Sequence, residues 1–225
     1  MCFSTGASFG AGIVLSVIGG ASIRKAPSGT HLPFASIPFL FSLQQFSEGL
    51  LWLSLSDLAY GLWQHGATLF FLFFAQVLWP CWVPFSILLL LPKDQRNRSG
   101  YLFLLAGSLV SVYLAYCLLN YPVSARIEAH HIAYQQLYPA AFALPCGVLY
   151  LIATIAPPFL SKTRRMWMLG TAILIAYLVS SLFYAEYLVS VWCFFASVIS
   201  LAVFVIMEEL KGENETLAGL KSQYS

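Results

Sequence analysis

Seven long apolar stretches, at about 9–23, 32–56, 67–91, 101–120, 134–155, 166–184 and 187–207, constrain this chain more than any single motif does. Each approaches the ~20 residues that an α-helix needs to cross the hydrocarbon core of a bilayer. Barrel strands would instead alternate in polarity over about ten residues. The chain is 60% hydrophobic and 9% charged, against about 25% charged residues in a soluble domain. The sequence therefore predicts an all-α polytopic membrane protein. Its expected form is a seven-transmembrane-helix bundle over 1–207, with a polar tail over 208–225 that extends the last helix.

Lysines and arginines orient the bundle. With seven spans, one set of connections holds Arg24, Lys25, Lys93, Arg96, Arg98, Lys162, Arg164, Arg165, Lys211 and Lys221, and the opposite set holds only Arg126. Cytoplasmic connections carry the excess of basic residues, so the expectation is an N-terminus outside and a cytoplasmic C-terminus. No basic segment precedes the first apolar run, which is expected to remain as a helix and not to be a cleaved leader. A net charge of +2, with no basic patch interleaved with aromatics, points away from a nucleic-acid partner. Membrane lipid is the partner the composition implies.

Within the spans, prolines 33, 38, 80, 84, 139 and 145 predict kinked or opened helices whose freed carbonyls need other donors. The segment from Phe41 to Trp52 is the most unusual. Gln44 and Gln45 precede Glu48 by four and three residues and Trp52 follows it by four, so the four share one helical face. An ionisable group at this depth is costly and marks a functional site by default. Amides can also join transmembrane helices structurally, which is the alternative reading of Gln44, Gln45 and Gln76. Tyr134, Tyr177 and Trp192 fall in the same half of the bilayer as Glu48. Tyr and Trp near helix ends also form an ordinary interfacial belt.

The outer connections add Asp57, His65, Arg126, Glu128, His130, His131 and Glu186. Imidazole and carboxylate are zinc ligands, and a catalytic zinc needs three of them and an open position. A zinc set including Glu48 and His130 is therefore chemically possible, although no HExxH motif supports it. The connection from Asn120 to Ala133 is long enough to act as a lid, with Ile127, Ile132 and Tyr134 folding over a polar cup. The five cysteines form no CxxC pair. Cys2 and Cys193 are expected near the outer surface, at the starts of spans one and seven, where a disulfide can persist; free buried thiols are the alternative. No lysine lies within a span, so a retinal Schiff base has no attachment point.

The start Met1-Cys2-Phe3-Ser4, the run from Leu32-Pro33-Phe34-Ala35 to Gln45-x-x-Glu48-x-x-x-Trp52, the segment from Ala125 through His130 to Tyr134, and Ser190-Val191-Trp192-Cys193-Phe194 together resemble a family of uncharacterised bacterial seven-helix membrane proteins. The resemblance spans most of the chain. It implies that Cys2, Gln45, Glu48, Trp52, His130, Tyr134, Trp192 and Cys193 form one signature, in a protein of the bacterial inner membrane. It brings no activity with it.

These readings converge on an outward-facing polar pocket around Glu48, formed with Gln44, Gln45, Trp52, Gln76, Tyr134, Tyr177 and Trp192. Such a pocket would bind a small molecule or lipid head group in a sensor, receptor-like module or transporter. The alternatives are an intramembrane metal-dependent hydrolase using Glu48 and His130, and a structural or accessory membrane subunit.

Overall fold

A computed structural model describes residues 4–128, 131–183 and 195–223, with Leu58 and 217–223 described by backbone alone. The chain runs through α1 (Thr5–Arg24), α2 (Leu32–Ala35), α3 (Ile37–Ser56), α4 (Gln64–Leu72), α5 (Trp79–Leu90) and α6 (Arg98–Asn120). A hairpin of β1 (Val123–Glu128) and β2 (His131–Gln136) follows, then α7 (Ala143–Leu160), α8 (Met166–Phe183) and α9 (Ala196–Gln223). A π-helical stretch, Phe73–Leu78, joins α4 to α5.

Among the described residues, five stretches are long and apolar enough to cross a membrane: Thr5–Arg24, Ala59–Leu90, Arg98–Asn120, Ala140–Leu160 and Met166–Phe183. They mark the chain as a membrane protein. α3 has comparable length at 20 residues, but Gln44, Gln45 and Glu48 dilute its hydropathy and it is not among the five. The stretch expected at 187–207 begins outside the described residues, and its described part opens α9.

The all-α expectation needs one correction, and so does the fifth span. Residues 123–136 form an antiparallel pair in which Ala125 faces Tyr134, Ile127 faces Ile132 and Glu128 faces His131. Tyr134 and Gln136 therefore lie on a strand, and the helix expected over 134–155 is Ala143–Leu160 instead. The cause is visible in the residues. Val123, Ala125 and Ile127 alternate with Ser124, Arg126 and Glu128, a period of two that suits a half-buried strand. Pro139 then adopts an extended conformation ahead of the helical turn Ala140–Phe142. Pro145 sits in the first turn of α7, where a missing N–H costs no intrahelical bond.

α1 packs chiefly on α3, and glycines allow the close approach. A Cβ at Gly19 would lie 2.7 Å from the backbone nitrogen of Phe39, and one at Gly12 would lie 2.8 Å from the Phe46 ring. From the other side, a Cβ at Gly49 would meet the Phe9 ring at 3.1 Å. Small residues serve this purpose in membrane bundles, where dispersion between closely packed helices replaces the hydrophobic effect.

At one end of the bundle, α9 ties basic connections together. Lys25 Nζ donates to Glu208 at 2.6 Å and Arg165 Nε lies 3.0 Å from Glu209. At the opposite end the hairpin lays its apolar face on the helices. Ala125 and Ile132 are buried with Leu51, Trp52 and Ala67, and Tyr134 stacks on Phe71 with ring centroids 4.9 Å apart. Arg126 and Glu128, on the other face of the strand, form an ion pair.

Candidate functional site

The π-helical stretch organises the interior. Pro80 has no N–H to return to the Gln76 carbonyl, so the backbone is opened just where the π turn lies. Side chains from neighbouring helices supply donors there. Tyr150 Oη donates to the Ala75 carbonyl at 2.7 Å, and Ser111 Oγ donates to the Val77 carbonyl at 2.6 Å. Tyr138 Oη donates to Gln76 Oε1 at 3.1 Å. One turn on, Trp79 Nε1 donates to Gln44 Oε1 at 2.8 Å in a fully buried contact, and the Trp79 ring stacks on Phe41 with centroids 4.1 Å apart. Trp82 Nε1 similarly reaches the Pro33 carbonyl at 3.0 Å. Pi turns of this kind are frequent at functional sites.

Of these, Gln44, Ala75, Gln76, Trp79, Tyr138 and Tyr150 form part of the wall of a cavity of about 720 Å³ between α3, the π stretch, α5, α6, α7 and α8, with the end of the hairpin and α9 also touching it. Gln44, Gln76, Gln136, Tyr138 and Tyr177 supply polar groups, whereas Phe41, Val83, Leu151, Leu169, Ile173 and Ile199 are apolar. The volume is within the roughly 300–1,000 Å³ typical of ligand pockets. Leu144 and Val148 line the cavity and are also exposed on the bundle surface, at 77% and 47%. The N-terminal half of α7 is therefore its open side.

The expected site residues divide among three places. Gln44, Gln76 and Tyr177 line this cavity. Gln45 and Glu48 are buried at 2% and 0% exposure on α3, with Gln45 Nε2 3.4 Å from Glu48 Oε2, and neither is among the described lining residues. Trp52 and Tyr134 lie beneath and within the hairpin. Trp52 is 6% exposed and its indole N–H meets no acceptor among the described residues. Cys2, His130, Trp192 and Cys193, together with Glu186, lie outside the described residues. Among the described residues no three His, Cys, Asp or Glu side chains group as a metal site, so a zinc set with Glu48 would draw on His130 or Glu186.

Trp79, Phe41, Tyr150 and Gln136 belong to the cavity and were not among the expected site residues. A signal for the first exists in the sequence. Trp79 precedes a mid-span proline and follows Gln76 by three residues, away from the helix ends where belt tryptophans gather.

The sequence model of a family of unknown function (DUF6629) matches residues 1–216. The chain belongs to that family. The match takes in every described element through most of α9, so the cavity and the hairpin are both parts of the DUF6629 domain. No curated protein and no solved structure matches the chain.

Proposed function

We propose that this DUF6629 protein is a seven-span bacterial inner-membrane protein that admits a hydrophobic small molecule or lipid from the bilayer into the cavity beside Gln44 and Gln76. It would serve as a sensor, receptor-like module or carrier. The observation behind this reading is the cavity of about 720 Å³, apolar over most of its wall and open beside α7. A void this size inside a bundle forfeits many packing contacts, a cost that an occupant would offset. No Asp, Glu, His, Lys or Arg is among the described lining residues, which favours binding over acid–base chemistry at this place. Glu48 sits one helical turn from Gln44 on α3, and we assign it to the supporting wall behind the ligand.

Trp79 lines the cavity and is a built-in reporter. In a variant keeping Trp79 alone, with the other five tryptophans replaced by phenylalanine, a brominated acyl ligand should quench its fluorescence saturably. An unbrominated chain should reverse the quenching. Gly147 lines the cavity, and a Cβ there would meet nothing within 4 Å among the described residues, so Gly147→Phe should obstruct the opening and abolish saturation. Linear quenching that is identical in Gly147→Phe would reject the reading.

For orientation, the proposal places the hairpin and N-terminus outside, with the ends joined by Glu208 and Glu209 in the cytoplasm. In a cysteine-depleted background, an impermeant maleimide on intact cells should label Ser124→Cys and not Lys162→Cys. The reverse pattern would invert the topology.

A further inference from the structure

The cavity has chemistry specific enough to narrow its occupant, provided that it is a ligand site as proposed above. We infer that the occupant is an uncharged, chain-bearing molecule whose head is a hydrogen-bond acceptor of the ketone, ester or quinone type, held at the hairpin end by the amide N–H groups of Gln76 and Gln136.

Three observations lead there. First, no ionisable acid or base other than phenols and one thiol is among the described lining residues. A buried carboxylate, phosphate or ammonium would have no counter-charge from these walls, and an unpaired buried ion costs several kcal/mol. Second, the amide oxygens face inward to the protein. Gln76 Oε1 accepts from Tyr138 and Gln44 Oε1 accepts from Trp79, whose indole can only donate. The Tyr150 hydroxyl is committed to the Ala75 carbonyl. The Gln76 amide therefore keeps its N–H donors, and Gln136, which lines the cavity, holds its Nε2 buried and without a partner among the described residues, so that a rotation of its terminal amide would turn that donor into the cavity. A site that offers donors selects an acceptor, because an unsatisfied buried N–H costs about 1–3 kcal/mol. Third, polarity is graded along the cavity. Gln136 ends the hairpin and Tyr138 follows it, whereas Val83, Leu151, Leu169 and Ile173 line the part toward the opposite end. α7 borders the cavity from Ala143 to Thr154, a rise of about 16 Å, which suits an extended alkyl or isoprenoid tail.

The test uses the full-length, Trp79-only protein and a set of unbrominated sixteen-carbon competitors displacing a brominated acyl methyl ester. The competitors are a methyl ketone, a methyl ester, the carboxylate at pH 8 and the plain alkane. The ketone and ester should displace at concentrations about tenfold lower than the carboxylate or alkane, the ratio expected from one or two satisfied donors. Gln136→Met and, separately, Gln76→Met should remove that preference while leaving displacement by the alkane unchanged. Gln136 lies on the hairpin, so its variant remains informative if Gln76→Met disturbs the π turn. Equal displacement by alkane and ketone, a preference for the carboxylate, or a ketone preference that survives Gln136→Met would each overturn the head-group assignment while the cavity reading stands. Absence of saturable quenching by any chain would reject both.

Discussion

The α1–α3 seam and the α5–α8 chamber are built from similar residues to opposite effect. In the seam, Gly12, Gly19 and Gly49 bring backbones so close that a single added carbon would meet a neighbour at 2.7–3.1 Å. Around the chamber, Gly147 faces open space and large side chains such as Phe41 and Tyr177 line a void. Glycine at a contact removes volume, whereas glycine at an opening leaves volume unused. The contrast shows that the bundle can pack tightly, which makes the chamber more than general looseness.

The comparison breaks most readily at Gly107, where α6 meets the α5 backbone. A Cβ there would lie 1.8 Å from the Pro80 carbonyl oxygen. Gly107→Ala should force α5 and α6 apart, with a loss toward the upper end of the roughly 1–3 kcal/mol range of overpacking, seen as a large drop in thermal midpoint. Gly19→Ala should cost about 1–2 kcal/mol, since it meets the Phe39 backbone and a backbone cannot rotate away. Trp79→Phe keeps the ring stack on Phe41 but removes the donor to Gln44, and should cost about 1 kcal/mol. Gly147→Ala should leave the midpoint within about 0.5 kcal/mol, and a loss as large as that of Gly19→Ala would show that the chamber is as tightly packed as the seam.

The smallest effect concerns pH. His31, in the connection between α1 and α3, is held below its ordinary value of 6.5 by burial. The unfolded chain therefore binds this proton more readily than the folded one. Stability should fall slightly as pH drops from 6.5 toward the lowered native value, and His31→Gln should flatten that slope in a series of thermal melts.

Much of the rod-like architecture was legible. α4 through α5, α6 and α8 begin and end within a few residues of the expected spans, because unbroken apolar length is a sufficient signal in a bilayer. Gln44 and Gln76 stood out because amides are conspicuous against aliphatic neighbours. The hairpin was less legible. Its strands are six residues each, and Tyr134 runs into a hydropathic stretch that masks the period-two pattern until the Pro139 boundary is weighed. Ile127, Ile132 and Tyr134 were expected as a lid over the polar cup; in the structure Ile132 and Tyr134 pack on Leu51, Trp52, Ala67 and Phe71. The chamber was illegible for a deeper reason. A void is defined by which side chains fail to meet, and Trp79, Phe41 and Tyr150 announce helix packing in sequence whether or not space remains between them.

The π stretch Phe73–Leu78 has a consequence for how this rod tolerates change in length. A π turn closes its hydrogen bond one residue later than an α turn, so the segment behaves as a one-residue insertion stored within a continuous helix. Deleting a single residue between Phe73 and Leu78 would let the helix relax to ordinary pitch. Because the wide turn absorbs the angle that the extra residue would add, the deletion should leave the Trp79 indole near Gln44 and Phe71 under the hairpin. The stretch thus keeps the angular phase between the two ends of this rod, and a second deletion, with no wide turn left to absorb it, should rotate the downstream end by about 100°.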